Sequence, residues 1–149
     1  MAIQVYYSLF DFVFKDTLMF LASPSGTGGR IIFISATIHY TGAPLQTHVS
    51  VAKAGIDALS NAASIEFGPR GVTSNVIAPG PIGGTEGMER LAQSKDVGAS
   101  KKNIPLGRWG TVKEIADATV YLFSDAANYV SGQTLVGEFE IPGLFFGGS

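Results

Sequence analysis

Two histidines, His39 and His48, and no cysteine occur in this chain of 149 residues. Thiolate metal sites and disulfides are therefore excluded. Neither histidine stands in a metal-ligand spacing with carboxylates, so the expected metal complement is none. The other side chains capable of chemistry fall in two stretches. One runs from Ser35 to Lys53 and holds Ser35, His39, Tyr40, His48 and Lys53. The other is Pro79–Gly87 (PGPIGGTEG), whose end carries Thr85 and Glu86. This Gly-rich run lacks the GxGxxG form of a phosphate cradle, so its interest lies in its position rather than its glycine count.

The elements between these stretches must position them. Arg30–Ile34 (RIIFI) is a short, continuous, β-branched apolar run. That is the pattern of a strand buried on both faces of a parallel sheet. Val72–Ala78 (VTSNVIA) reads the same way, and Thr134–Val136 as a last short strand. A helix is predicted from about His48 to Phe67, with Val49, Ala52, Ile56, Leu59 and Ala63 on one stripe. Its small residues (Ala52, Ala54, Gly55, Ala58, Ala62, Ala63) allow close backbone approach, and Gly68-Pro69 ends it. A short helix is expected over Glu86–Gln93. Thr111 with Glu114 forms a capping-box pattern opening a helix to about Phe123. Alternating strands and helices predict an α/β fold, a partial Rossmann-like parallel sheet with flanking helices and right-handed crossovers. Ligands in such sheets bind beyond the carboxyl ends of the strands. The loops there are Ser35–Thr47 and Pro79–Gly87.

Composition narrows the function classes. Apolar residues make up 46% and charged residues 15%, which is not a disordered composition. Net charge is -2, with no basic stripe, so nucleic acid is not an expected partner. Ile3–Leu21 is apolar but carries Asp11, Lys15 and Asp16. Each charge costs about 2.5–3.5 kcal/mol at a bilayer centre, so a buried helix is predicted there rather than a membrane span. The segment also lacks the basic start and small-residue cleavage site of a signal peptide. The final Gly147-Gly148-Ser149 is not a peroxisomal tripeptide.

Three runs make a resemblance specific: ISATIHYTGAPLQTHVSVAKAGIDAL, FGPRGVTSNVIAPGPIGGTEG and IPLGRWGTVKEIADATVYLFSDAANYVSGQTLV. Together they resemble the short-chain dehydrogenase/reductase superfamily, and within it most of all the peroxisomal type of 2,4-dienoyl-CoA reductase. The resemblance covers about Gly29 to Val136. The superfamily's usual pair is a Tyr four residues before a Lys. Lys53 fits the Lys, whereas Val49 occupies the Tyr position and Ala36 the position of the usual Ser. A carbonyl reductase needs a positioned acid to protonate the developing alkoxide. Val49 and Ala36 cannot serve, which disfavours ketone chemistry. Reduction of a conjugated dienoyl thioester poses a different demand. Hydride adds at the far end of the diene, charge spreads to the thioester oxygen as a dienolate, and carbon is then protonated.

The resemblance implies NADPH as cofactor and an acyl-CoA as substrate. It assigns Lys53 to the nicotinamide ribose, and Ser35, Ala36, Pro79, Gly80 and Ile82 to the cofactor surface. His48, beside the vacated Tyr position, could donate to the thioester or to a water. His39 and Tyr40 could line the acyl pocket. Thr85 and Glu86 belong to a flap, Glu86–Gln93, that closes water out. The family implies a homo-oligomer in a peroxisome, or otherwise a cytoplasmic protein. Residues 1–28 are expected to form an atypical apolar helix and loop, 29–136 the C-terminal half of the reductase domain, and 137–149 a divergent tail. The opening βαβ unit, which places the dinucleotide pyrophosphate on a helix N-terminus, has no counterpart before Arg30. Tyr6 stands where relatives carry an acidic residue. GEFEIPGLFFGGS replaces the family's Asp-Gly-Gly turn. A truncated chain with an exposed sheet edge is thus expected to fold poorly alone and to be of doubtful activity. Two alternatives stay open: a non-catalytic fragment associating with full-length reductase subunits, and a short-chain reductase acting on another acyl thioester.

Overall fold

Two apolar runs pair directly: β1 (Arg30–Ile34) lies parallel to β2 (Thr73–Ala78), from Arg30 opposite Thr73 to Ile34 opposite Ile77. The structure is a computed structural model, and it describes residues 28–86, 88, 101 and 104–138. β3 (Thr134–Val136) adds to β2 in parallel, giving the order β1-β2-β3. α1 (Ile38–Thr41) and α2 (Thr47–Phe67) connect β1 to β2. α3 (Val112–Phe123) precedes β3. The predicted α/β class and parallel sheet are what the chain adopts.

Strand alternation sends successive side chains to opposite faces, and this builds a three-layer domain. On one face Ile31 and Phe33 meet Leu59, Ala63 and Phe67 of α2, with Val72. On the other, Ile32 and Ile77 meet Ile115, Ala118 and Leu122 of α3, with Ala127 and Val130. Polar groups between the strands and these helices are paired in several places. Ser60 and Ser74 hydroxyls lie 2.9 Å apart. The Asn75 amide donates to the Val130 carbonyl at 2.8 Å, and its oxygen accepts from Gln133 N at 3.1 Å. Asn75 thereby holds the turn that delivers β3. The Arg30 guanidinium binds the Leu122 carbonyl and Asn128, tying β1 to the end of α3.

Some expectations need adjusting. α2 starts at Thr47, one residue early, and β2 at Thr73, one late. The loop after β1 is interrupted by the one-turn α1. Because the strands follow one another laterally while α2 and α3 lie on opposite faces, the two crossovers have opposite hands. The prediction that both are right-handed is therefore incorrect. The right-handed rule follows from a twisted strand feeding a helix that packs directly back onto the sheet, whereas residues 79–111 intervene between β2 and α3. The helix predicted over Ile3–Leu21, most of Glu86–Gln93 and the tail after Glu138 lie outside the described residues.

Two substitutions grade this packing. Ile77, 2% exposed, seals the α3 face, so Ile77→Ala should destabilise by about 2–5 kcal/mol in chemical denaturation. Thr111 caps α3 in a complete capping box with Glu114. Thr111→Ala should cost about 0.5–2 kcal/mol in the same measurement.

Candidate active site

The carboxyl ends of β1 and β2 are stitched together by backbone hydrogen bonds. Ser35 N donates to Ile77 O at 2.8 Å, and Thr37 N donates to Pro79 O at 2.9 Å. These bonds bring the two chemistry-bearing stretches side by side, at the end of the sheet where α/β proteins bind ligands. Lys53, half-buried on α2, donates from Nζ to Ile34 O at 2.9 Å. Ser35 Oγ donates back to Lys53 O at 3.3 Å. The Lys53 ammonium has three donors, and among the described residues one of them is taken. Ala36 is half-buried beside Ser35 and offers no hydroxyl.

The Pro79–Gly87 loop is anchored on its other side. Ile82 forms a parallel bridge with Gly110. Gly83 N donates to Gly110 O and Gly110 N to Pro81 O, both at 3.0 Å. A Cβ on Gly80 would lie 2.2 Å from the Glu138 carbonyl oxygen, so only glycine permits this approach. Below the loop a cavity of about 300 Å³ is lined by apolar residues such as Ile77, Ile82, Ile104 and Val136. Arg108 and Glu114 stand on its wall, 2.6 Å apart. The Arg108 guanidinium, with the Thr111 donors, holds the Glu114 carboxyl down at about 2.

Among the predicted site residues, His39 and Tyr40 come together most closely. Their rings pack at 3.8 Å between centroids. His39 Nε2 lies 2.8 Å from Asp57 Oδ2, and the Tyr40 hydroxyl donates to the same oxygen. Asp57 was not singled out by the sequence reading. Its signal was present, since it follows Lys53 by four residues and so shares its helix face. Burial pushes the Asp57 carboxyl up, but the neighbouring Ser35 hydroxyl, with the hydrogen bonds from Tyr40 and His39, outweighs this and holds it below the usual range. Ser35 acts from beside the carboxylate, because its hydroxyl is directed at the Lys53 carbonyl. Burial, then the hydrogen bond to Asp57, pushes the Tyr40 hydroxyl up to about 12. His39 Nδ1 and Asp57 Oδ1 are buried without a well-aligned partner among the described residues.

The remaining predicted residues lie apart from this cluster. His48 is exposed on the first turn of α2. The Thr85 hydroxyl is used locally: it donates to Ile82 O at 2.9 Å and accepts from Met88 N at 3.3 Å. Glu86 is exposed. Between α1 and α2, Leu45 holds a left-handed backbone with φ 61°, an arrangement costly for a non-glycine residue. Among the described residues no group of three or more His, Asp or Glu side chains could hold a metal ion.

The chain matches the family model described as enoyl-(acyl carrier protein) reductase over residues 7–138. It is 54% identical over 108 residues to the peroxisomal 2,4-dienoyl-CoA reductase, (3E)-enoyl-CoA-producing, of Saccharomyces cerevisiae, covering 72% of this chain and 37% of that protein. The chain thus spans well under half the length of that relative. Among solved structures, a short-chain type dehydrogenase/reductase from Mycobacterium ulcerans superposes with a TM-score of 0.72 at 29% identity, covering 83% of this chain and 44% of that one. A 3-oxoacyl-[acyl-carrier protein] reductase with bound NAD from Brucella melitensis gives 0.68 at 25% identity, with the same coverage.

The Asp57 carboxyl supplies a pH test. Its folded pKa lies below its unfolded value, so its contribution is complete above the unfolded value and is lost as pH falls through the folded one. Denaturation measured across a pH series should show the acid-side loss of stability in the native sequence, and a flatter acid limb in Asp57→Asn.

Proposed function

The chain belongs to the short-chain dehydrogenase/reductase family, and from that premise we propose that its site serves the NADPH-dependent reduction of 2,4-dienoyl-CoA to 3-enoyl-CoA in peroxisomal β-oxidation of unsaturated fatty acids. The observation that carries this reading is a combination. Lys53 is kept and braced by the Ile34 carbonyl, while Val49 and Ala36 stand where an acid for ketone reduction would be needed.

The residues present fit the nicotinamide-ribose end of the cofactor. An ammonium with donors to spare suits a pair of ribose hydroxyls. The Pro79–Ile82 backbone offers the surface beside it. When bound, a reduced nicotinamide supplies hydride to the far carbon of the diene. Lys53 orients the ribose, and the Ile34 bond keeps its ammonium at the strand end. Negative charge then rests on the thioester oxygen as a dienolate until a proton reaches the α-carbon. His48, exposed at the start of α2, can serve that oxygen or a water only from the solvent side. Tyr40 is a poor acid at neutral pH, given where its hydroxyl titrates, and acts as an apolar wall. His39 stands behind it. Thr85 caps the turn leading into the flap, and Glu86 begins that flap.

A second reading concerns association. α2 presents Val51 and Ile65, 68% and 78% exposed, with exposed Ala54, Ala58 and Ala62. An apolar stripe on the outer side of a helix suits another helix. On this reading the chain joins other reductase subunits, and sedimentation should give a species heavier than a monomer.

The catalytic reading is tested by the fall in reduced-nicotinamide absorbance on adding a 2,4-dienoyl-CoA. In a protein extended to the full length of the relatives it matches, turnover with the dienoyl thioester and none with a simple ketone is expected. The reverse preference would overturn the reading. Lys53→Met should lower kcat/KM by roughly 10–100-fold, the scale of one charge-assisted hydrogen bond.

A further inference from the structure

α1 is a single turn with little to hold it. It has no buried residue and no side-chain N-cap bond. The segment that follows it passes through Gly42 and the left-handed Leu45 before α2 begins. Backbone bonds from Tyr40 N and Thr41 N to Thr37 O, and from Gly42 N to Ile38 O, close the turn on itself rather than on α2. Asp57 makes a side-chain link from α2 to this turn, its Oδ2 facing both His39 Nε2 and the Tyr40 hydroxyl.

That link has a defined chemistry. An ionised carboxylate only accepts hydrogen bonds. Tyr40 donates its hydroxyl hydrogen, and the His39 contact at 2.8 Å requires a hydrogen on Nε2. A neutral His39 ring is therefore the Nε2–H tautomer, with the Nδ1 lone pair facing the interior. The His39 side chain is 8% exposed and that of Asp57 15%. Tyr40, by contrast, is 47% exposed and keeps ring surface available beyond its hydroxyl. One carboxylate thus fixes a buried imidazole and a half-exposed phenol ring one helical turn from Lys53.

We propose that Asp57 is a positioning residue for the acyl wall of the site: it fixes His39 as the Nε2–H tautomer and orients Tyr40, so that α1 keeps one placement against which an acyl chain packs. This rests on the reductase reading above, but its first test does not. The chain has two histidines, so nitrogen-detected NMR of the imidazoles resolves His39 from the exposed His48. In the native sequence His39 should show the Nε2–H pattern. Asp57→Asn is nearly the same size and can turn an N–H toward the ring. His39 should then accept at Nε2 and carry its hydrogen on Nδ1. A native Nδ1–H ring, or a ring unchanged by Asp57→Asn, overturns the proposal.

Binding of a 2,4-dienoyl-CoA, followed by calorimetry in the presence of NADP+, which has no hydride to give, supplies the functional arm. Asp57→Asn should weaken binding by roughly tenfold, Asp57→Glu should restore part of it, and Tyr40→Phe should change it little. If the native protein binds and Asp57→Asn binds equally well, the positioning role is wrong. If the native protein binds no dienoyl-CoA while the tautomer behaves as expected, the reductase reading fails and Asp57 is left as a structural lock only.

Discussion

Everything at this site depends on the parallel pairing of β1 with β2. The register that sets Ile34 opposite Ile77 also delivers Ser35 N to Ile77 O and Thr37 N to Pro79 O. A slip of one residue would turn every side chain of β1 to the other face. Ile31 and Phe33 would leave α2, and the two loops would part. The apolar packing on both faces therefore does more than hold the domain together. It fixes the distance between the Lys53 side of the site and the Pro79–Ile82 side.

On that frame the polar groups are layered. Lys53 leans on a strand carbonyl and keeps donors to spare. Ser35 joins the strand end to α2. Asp57 gathers His39 and Tyr40 one turn further along the same helix. Tyr40, pushed up by burial and by Asp57, and the ionised Asp57 are poorly suited to protonating an alkoxide at neutral pH. On the proposed reading the site orients a cofactor and shapes a pocket, which suits a substrate whose negative charge is delocalised over a thioester.

Much of this was legible in the sequence because local signals agreed with the fold. RIIFI and VTSNVIA became β1 and β2 nearly as bounded, and the Thr111–Glu114 box opened α3 where its spacing required. The place of Lys53 at the strand end was legible because motif and helix position coincide. Asp57 was missed because a carboxylate on a helix usually faces water. Its partners, 17 and 18 residues earlier in the chain, are unpredictable until α1 is known to fold back on α2. The one-turn α1 escaped notice for a related reason, since four residues carry no period. Thr85 illustrates the opposite case: a loop hydroxyl placed on the flap by resemblance is used to close its own turn. The opposite hands of the two crossovers were not legible, because strand–helix order does not say which face of the sheet each helix covers.

The central claim is that this site reduces a conjugated diene rather than a carbonyl. The most direct measurement follows the label from a cofactor carrying deuterium at its transferable position. With a 2,4-dienoyl-CoA, the account predicts deuterium at the far (δ) carbon of the diene and a solvent-derived hydrogen at the α-carbon, in a 3-enoyl thioester. Label found instead on a carbon bearing a new hydroxyl, from a 3-oxoacyl thioester and with the dienoyl thioester untouched, would contradict it.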